Sequence, residues 1–186
     1  RLLLSHRFGA CFSHMNPLFA VLAWPLLKLA GVPTILWYAH GAVPWMLRIA
    51  GHCVDGIVTS TPAGCRLESP LIQVIGQGIE TDRFVPPSGC RTASPVLLYV
   101  GRISRVKDIE TFIWTVAEIA REIPGVRGVI VGKIMTNIDT AYQQSLVELA
   151  KTLNLADRIE WRGSVPYSRI HSVYQEADIL VNPSAT

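Results

Sequence analysis

Short apolar runs alternate along the chain with longer stretches in which apolar residues recur every three or four positions. Residues 16–30 are apolar almost all round, with Asn16 placed to cap a helix, Pro17 suited to its first position and Gly31 to its end. A helix of that kind is buried or lies against lipid, and burial inside the missing rest of its domain is the preferred reading. Residues 34–38 read as a strand, 43–51 as a short helix and 55–59 as a strand. Ser60-Thr61-Pro62 can cap another short helix, and 71–75 read as a further strand before Gly76-Gln77-Gly78. Residues 84–95 break the rhythm with Pro86-Pro87-Ser88-Gly89 and Ser94-Pro95, as a linker does.

The alternation restarts at 96–100, an unbroken apolar run suited to a strand buried on both faces of a parallel sheet. Ile109, Phe112, Ile113, Val116, Ala120 and Ile123 lie at helical spacing, with Asp108 placed to cap them and Pro124-Gly125 to stop them. A strand over 126–131 follows, then a helix with Tyr142, Leu146, Leu149, Ala150 and Leu153 on one face. A strand over 158–162, a helix over 167–177 and a strand over 178–181 close the pattern. Strand and helix alternating on both sides of a linker define two α/β units with parallel sheets. The expected organisation is a first domain over 1–83, the linker over 84–95 and a second domain over 96–186.

Composition narrows the function. A net charge of +3, with the basic residues scattered, gives no stripe for nucleic acid. Hydrophobic residues at 49% against 17% charged exclude disorder and supply a core. The stretch nearest to a membrane span, 29–47, lacks charge but is interrupted by Gly31, Pro33, His40, Gly41 and Pro44, so it does not read as a transmembrane helix. Cys11, Cys53, Cys65 and Cys90 are 42, 12 and 25 positions apart, which is neither a zinc spacing nor a dense disulfide framework. Free thiols in a reducing compartment are expected. The five tryptophans show no period and read as packing residues.

Ligands of parallel sheets bind at the carboxyl ends of the strands, so the residues there are the candidates for chemistry. Two familiar phosphate loops fail. Gly76-Gln77-Gly78 has Thr81 where a dinucleotide fingerprint needs its third glycine, and Gly132-Lys133 is followed by Ile134 with Arg127 in place of the earlier P-loop glycine. Gly101-Arg102, with Arg105 and Lys107 ahead of a helix, offers backbone amides, a helix dipole and cations to a diphosphate. The same residues also read as solvated loop cations. His14 and His40 fall at adjacent strand ends, either as crevice residues or as ordinary hydrogen-bonding histidines. No carboxylate or third histidine follows them in a metal-ligand pattern.

Several stretches together resemble the retaining glycosyltransferases of family 4. Leu97-Leu98-Tyr99-Val100-Gly101-Arg102 followed by Lys107-Asp108 resembles the family's phosphate-binding segment. Residues 74–84 resemble the segment leading out of its first domain, with Gly76-Gln77-Gly78 where the usual form has Pro-Asn-Gly. Asp157-Arg158-Ile159 with Trp161, Gly163 and Val165 resembles the stretch beside the nucleotide base. Ala177-Asp178-Ile179 with Val181, Pro183 and Ser184 resembles the strand before the catalytic acidic motif, and Trp37-Tyr38-Ala39-His40 the strand carrying the active-site histidine.

The resemblance implies the GT-B fold, two Rossmann-like parallel-sheet domains. Residues 1–83 would be the C-terminal part of the acceptor-side domain and 96–186 the N-terminal part of the donor domain, both incomplete. It implies transfer, with retention, from a nucleotide-diphosphate sugar to a glycan, lipid or small-molecule acceptor, without a cofactor or a required metal. Arg102 and Lys107 would neutralise the diphosphate beside Gly101, with Gly132, the Val165 backbone and Ser184 at the nucleotide. His40 would contact the reacting groups, and His14 would line the acceptor side. A cytoplasmic enzyme of glycan biosynthesis is expected, with a peripheral contact at the inner face of a membrane. The family's opening strand and Gly-rich loop have no match here, and its two glutamates, eight positions apart, would follow Thr186. The chain is therefore expected to continue into an acidic motif and to be inactive alone. A non-catalytic nucleotide-sugar or glycan-binding protein and a GT-B nucleotide-sugar epimerase are the competing readings.

Overall fold

The computed structural model describes residues 6–87 and 94–184. The chain divides into two compact units, residues 1–79 and 80–186.

In the first unit, β1 (Cys11–His14), β2 (Thr34–Trp37), β3 (Gly56–Thr59) and β4 (Ile72–Val74) form a sheet in the order β1-β2-β3-β4. Every neighbouring pair is parallel. α1 (Pro17–Leu29) and α2 (Trp45–Cys53) make the crossovers. Asn16 caps α1 as its sequence position foretells: Oδ1 accepts the Phe19 N–H at 2.9 Å, and Pro17 begins the helix where no amide partner is needed. Gly31 turns the chain out of the helix at φ +65. The core is Ala20, Leu36, Tyr38, Leu47, Ala50, Val54, Ile57 and Cys65. Among the described residues, α1 is covered on one side only. Ala20 and Leu27 are its buried residues, whereas Leu22, Leu26 and Leu29 are 69%, 63% and 86% exposed. The short helix expected after Ser60 is a single 3₁₀ turn, Pro62–Gly64, without a side-chain cap.

In the second unit, β5 (Val96–Val100), β6 (Arg127–Val131), β7 (Ile159–Gly163) and β8 (Ile179–Leu180) are again all parallel, in the order β7-β6-β5-β8. Leu97 and Tyr99 of β5 face α3 (Ile109–Glu122) and α4 (Asn137–Thr152), in a core with Phe112, Val116, Ile130 and Leu146. Val96 and Leu98 face the other way, against Val129, Val131 and Val173 of α5 (Ile170–Gln175). A strand apolar at every position thus has a reason on each side. α4 opens with a capping box between Thr136 and Asp139. The helix expected over 167–177 is shorter, a 3₁₀ turn at Tyr167–Arg169 leading into α5.

The described part of the expected linker belongs to the second unit. Arg83 donates to the Ser168 carbonyl at 3.0 Å and to Tyr167 O at 3.3 Å. Phe84 meets the Tyr174 ring edge-on at 5.8 Å, and Gln175 donates to Val85 O at 3.0 Å. The break therefore falls before Glu80, not after Arg83, because Arg83 and its aromatic neighbours have partners on the α5 side. Residues 88–93, with Cys90, lie outside the described part.

Candidate functional site

The second unit reverses its strand order once. β5, β6 and β7 run outward in sequence, and β8 returns to the opposite side of β5. β5 and β8 are thus neighbours, and the loops after them meet at their carboxyl ends, the usual ligand position in such sheets. Lys107 and Ser184 meet at this point, with Lys107 Nζ donating to Ser184 Oγ at 3.3 Å. Ser184 in turn donates to Asn182 Oδ1 at 2.7 Å. They are 77 residues apart in the chain and are brought together by the β5–β8 pairing.

The adjoining loops are stitched to each other through backbone. Gly101 N–H donates to Val131 O at 2.9 Å, Gly132 N–H to Gly163 O at 2.8 Å and Ile103 N–H to Lys133 O at 3.1 Å. The approach is so close that a Cβ on Gly132 would stand 1.7 Å from the Gly101 carbonyl oxygen. Tyr99 fixes the start of the loop by donating to Arg102 O at 2.9 Å. Burial pushes its hydroxyl up to about 12, so it stays a neutral donor at ordinary pH. The Val165 side chain packs against the valine-rich face of the sheet, which leaves its backbone for any ligand contact. Gly101, Arg102, Lys107, Gly132, Val165 and Ser184 thus all follow strands at the carboxyl end of one sheet.

Arg102 is exposed and Lys107 half-buried. Among the described residues, neither is in an ion pair with a carboxylate. Arg105, third in the sequence's cationic trio, is engaged instead, with its guanidinium 5.2 Å above the Tyr142 ring. Asp108 occupies the expected capping position in a left-handed conformation, but its carboxylate accepts from the Thr111 hydroxyl and caps no backbone amide. The amide of Ile109 is taken by the Tyr142 hydroxyl at 3.2 Å. Sequence reading assigned Tyr142 to a core face and missed this contact. The signal available was a phenol amid leucines, since a buried tyrosine hydroxyl needs a partner.

In the first unit, His14 and His40 have different neighbours. The His14 ring stacks on Trp37 at 6.4 Å and 4°. His40 follows β2, is exposed, and accepts the Ala42 N–H at Nδ1 over 3.1 Å. With Nδ1 engaged as the acceptor, Nε2 is the ring nitrogen left to meet a ligand. Tyr38 holds the same turn by donating to Ala42 O at 2.9 Å. His40 lines an open groove of about 440 Å³ with Met15, Asn16, Tyr38 and Met46, in which His14 has no part. Among the described residues, no three His, Cys, Asp or Glu side chains gather in the manner of a metal site. None of the described helices is long and apolar enough to cross a membrane. Cys11, Cys53 and Cys65 carry free thiols.

Two parallel α/β units, one with a cationic crevice at its strand reversal, define the GT-B class of glycosyltransferase folds. Residues 80–186, more than half of the chain, match the family described as glycosyl transferases group 1, and the chain belongs to that family. A stretch of 86 residues is 29% identical to D-inositol 3-phosphate glycosyltransferase of Segniliparus rotundus, spanning 46% of this chain and 19% of that protein. The fold is similar to that of HepE from Anabaena, solved with UDP, at a TM-score of 0.76 and 16% identity, over 95% of this chain and 54% of that one. It is also similar to TarM from S. aureus, at a TM-score of 0.66 and 10% identity, over 88% of this chain and 35% of that one. The chain thus spans about half the length of the Anabaena protein.

Proposed function

We propose that the full-length protein transfers a sugar from a nucleoside-diphosphate sugar to a glycan, lipid or small-molecule acceptor, with retention of anomeric configuration. The observation that carries this reading is the convergence of Lys107 and Ser184 where the strand order reverses, beside two glycines whose backbones touch. Cleavage of the bond between the anomeric carbon and the diphosphate leaves negative charge on the departing oxygen, and the acceptor hydroxyl forms the new bond while losing its proton. Arg102 and Lys107 neutralise that charge as it develops, the work a bound cation does in other transferases. Gly132 admits the nucleotide close to the main chain, the Val165 backbone meets the base, and Ser184 binds beside Lys107. His40 donates from Nε2 to the reacting sugar, and His14 borders the acceptor. HepE and the S. aureus enzyme were solved with UDP, which makes UDP the first probe.

Titration calorimetry of the full-length protein with UDP, GDP, ADP and CDP tests the donor site. Lys107→Ala weakens the diphosphate that binds by about 1–3 kcal/mol, the scale of a charge-assisted hydrogen bond. Equal affinity in wild type and variant for every nucleotide removes Lys107 from the site and the reading with it.

A peripheral contact with an anionic membrane face belongs to the same proposal. Leu18, Leu22 and Leu26 present an exposed row on α1, and the first acidic residue of the chain is Asp55, preceded by Arg1, Arg7, Lys28 and Arg48. An apolar row in a basic, acid-free segment suits anionic lipid. Cosedimentation with phosphatidylglycerol vesicles is lost in Leu22→Glu/Leu26→Glu; equal pelleting of both proteins contradicts the contact.

A further inference from the structure

We infer that Tyr142 is a positioning residue for the anion-binding loop, holding the turn that carries Lys107 in its binding shape. The inference rests on the nucleoside-diphosphate reading of that loop. Tyr142 lies on α4, outside the loop, and is 1% exposed. Its hydroxyl accepts the Ile109 N–H at 3.2 Å and donates to the Glu110 carboxylate. Its ring carries the Arg105 guanidinium at 5.2 Å. The 3₁₀ turn Arg105–Lys107 and the first residue of α3 therefore rest on one side chain, at Arg105 before Lys107 and at Ile109 after it.

Two physical consequences follow for Lys107. The N-terminus of α3 cannot rely on its own cap, because Asp108 is left-handed at φ +47 and turned to Thr111. A borrowed hydroxyl takes the Ile109 N–H, and without it the turn that carries Lys107 loses its tie to α4 on the helix side. The second consequence is electrostatic. Glu110 stands three residues beyond Lys107, and a carboxylate free to swing toward that ammonium competes with any bound anion. The bond from Tyr142 occupies it. Burial, with the Glu110 hydrogen bond as the next cause, raises the Tyr142 hydroxyl far above the ordinary tyrosine range, so the donor stays protonated.

Tyr142→Phe tests this directly, since it keeps the ring under Arg105 and removes both hydrogen bonds. The measurement is a double-mutant cycle of UDP affinity with Lys107→Ala, by calorimetry on the full-length protein below its unfolding transition. GDP, ADP and CDP serve in turn where they bind and UDP does not. Tyr142→Phe raises the Kd about 5–10-fold in the wild-type background and less than about twofold when Lys107 is already Ala, because the effect passes through Lys107. A merely structural tyrosine lowers the melting temperature and leaves the affinity of the folded protein unchanged; that result overturns the inference, as does full additivity of the two substitutions. Unchanged affinity in Lys107→Ala, or no binding of any nucleoside diphosphate by the wild type, instead overturns the donor-site reading on which the inference stands. Should Tyr142→Phe fail to fold, Arg105→Gln takes the loop's cation off the Tyr142 ring and frees the turn before Lys107. It is expected to weaken binding about threefold in a Lys107-dependent manner, and unchanged affinity there overturns the inference equally.

Discussion

Gly132 shows most sharply what the backbone of this site requires. With the Gly101 oxygen 1.7 Å from where a Cβ would be, no rotamer relieves the clash and the main chain must move. Gly132→Ala is expected to destabilise the second unit by about 3 kcal/mol, the upper end of overpacking costs, and to abolish tight nucleotide binding. Denaturant unfolding monitored with and without UDP checks both effects. His40 belongs to the opposite case. It is exposed, and its ring accepts from the Ala42 amide at the surface, so His40→Ala should cost under about 1 kcal/mol of stability. If it donates to the reacting sugar, turnover falls about 100-fold in the same preparation, the scale of removing one transition-state donor. Near-normal specific activity with a large fall in melting temperature would return His40 to a structural role. The sequence marked Gly132, Lys107 and His40 by their places after strands. It did not mark Tyr142, because a contact between two helices is set by packing and carries no local spacing.

Elements were legible where their pattern was strong. β5 and α3 lie where the apolar run and the helical spacing put them, and Asn16 caps α1 as its position foretold. The elements that shrank, the 3₁₀ turns at Pro62–Gly64 and Tyr167–Arg169, each stand at a proline, which fits a first turn but does not extend one. α1 lies where its cap and Gly31 put it, but its apolar composition does not say what covers its exposed leucines. On the other side of the second sheet, Arg162 joins elements that no sequence pattern links: it binds Glu160 of β7 at 2.6 Å and also Glu176 beyond α5. The hydrogen bond from Arg162 holds the Glu160 carboxyl below the usual range, against an opposing effect of burial. A lowered folded value contributes stability that is present above the unfolded pKa of about 4.3 and is lost as pH falls through the folded value. Arg162→Met should therefore flatten the acid limb of the stability curve below about pH 5, by under about 1 kcal/mol for carboxylates this exposed. Unfolding midpoints from pH 3 to 7 measure it; parallel curves would show that Glu160 gains nothing from the arginine.

At the scale of the molecule, the two α/β units were readable from alternation alone, and their all-parallel sheets follow from the crossover helices. The unit boundary was not, since Pro86-Pro87 draws the eye to a linker while Arg83 and Phe84 bind backward onto α5's side. Strand order was invisible too. That β8 returns beside β5 depends on which edge buries the last strand, and this return places Ser184 against Lys107. The central claim is that this crevice holds a nucleoside diphosphate. Amide hydrogen exchange of the full-length protein, with and without saturating UDP, tests it most directly. Protection should rise in the segments 101–109, 132–133, 163–165 and 181–184, and remain unchanged on the Glu160–Glu176 face of the same sheet. Protection confined to other segments, or none at a concentration where calorimetry shows binding, would contradict the account.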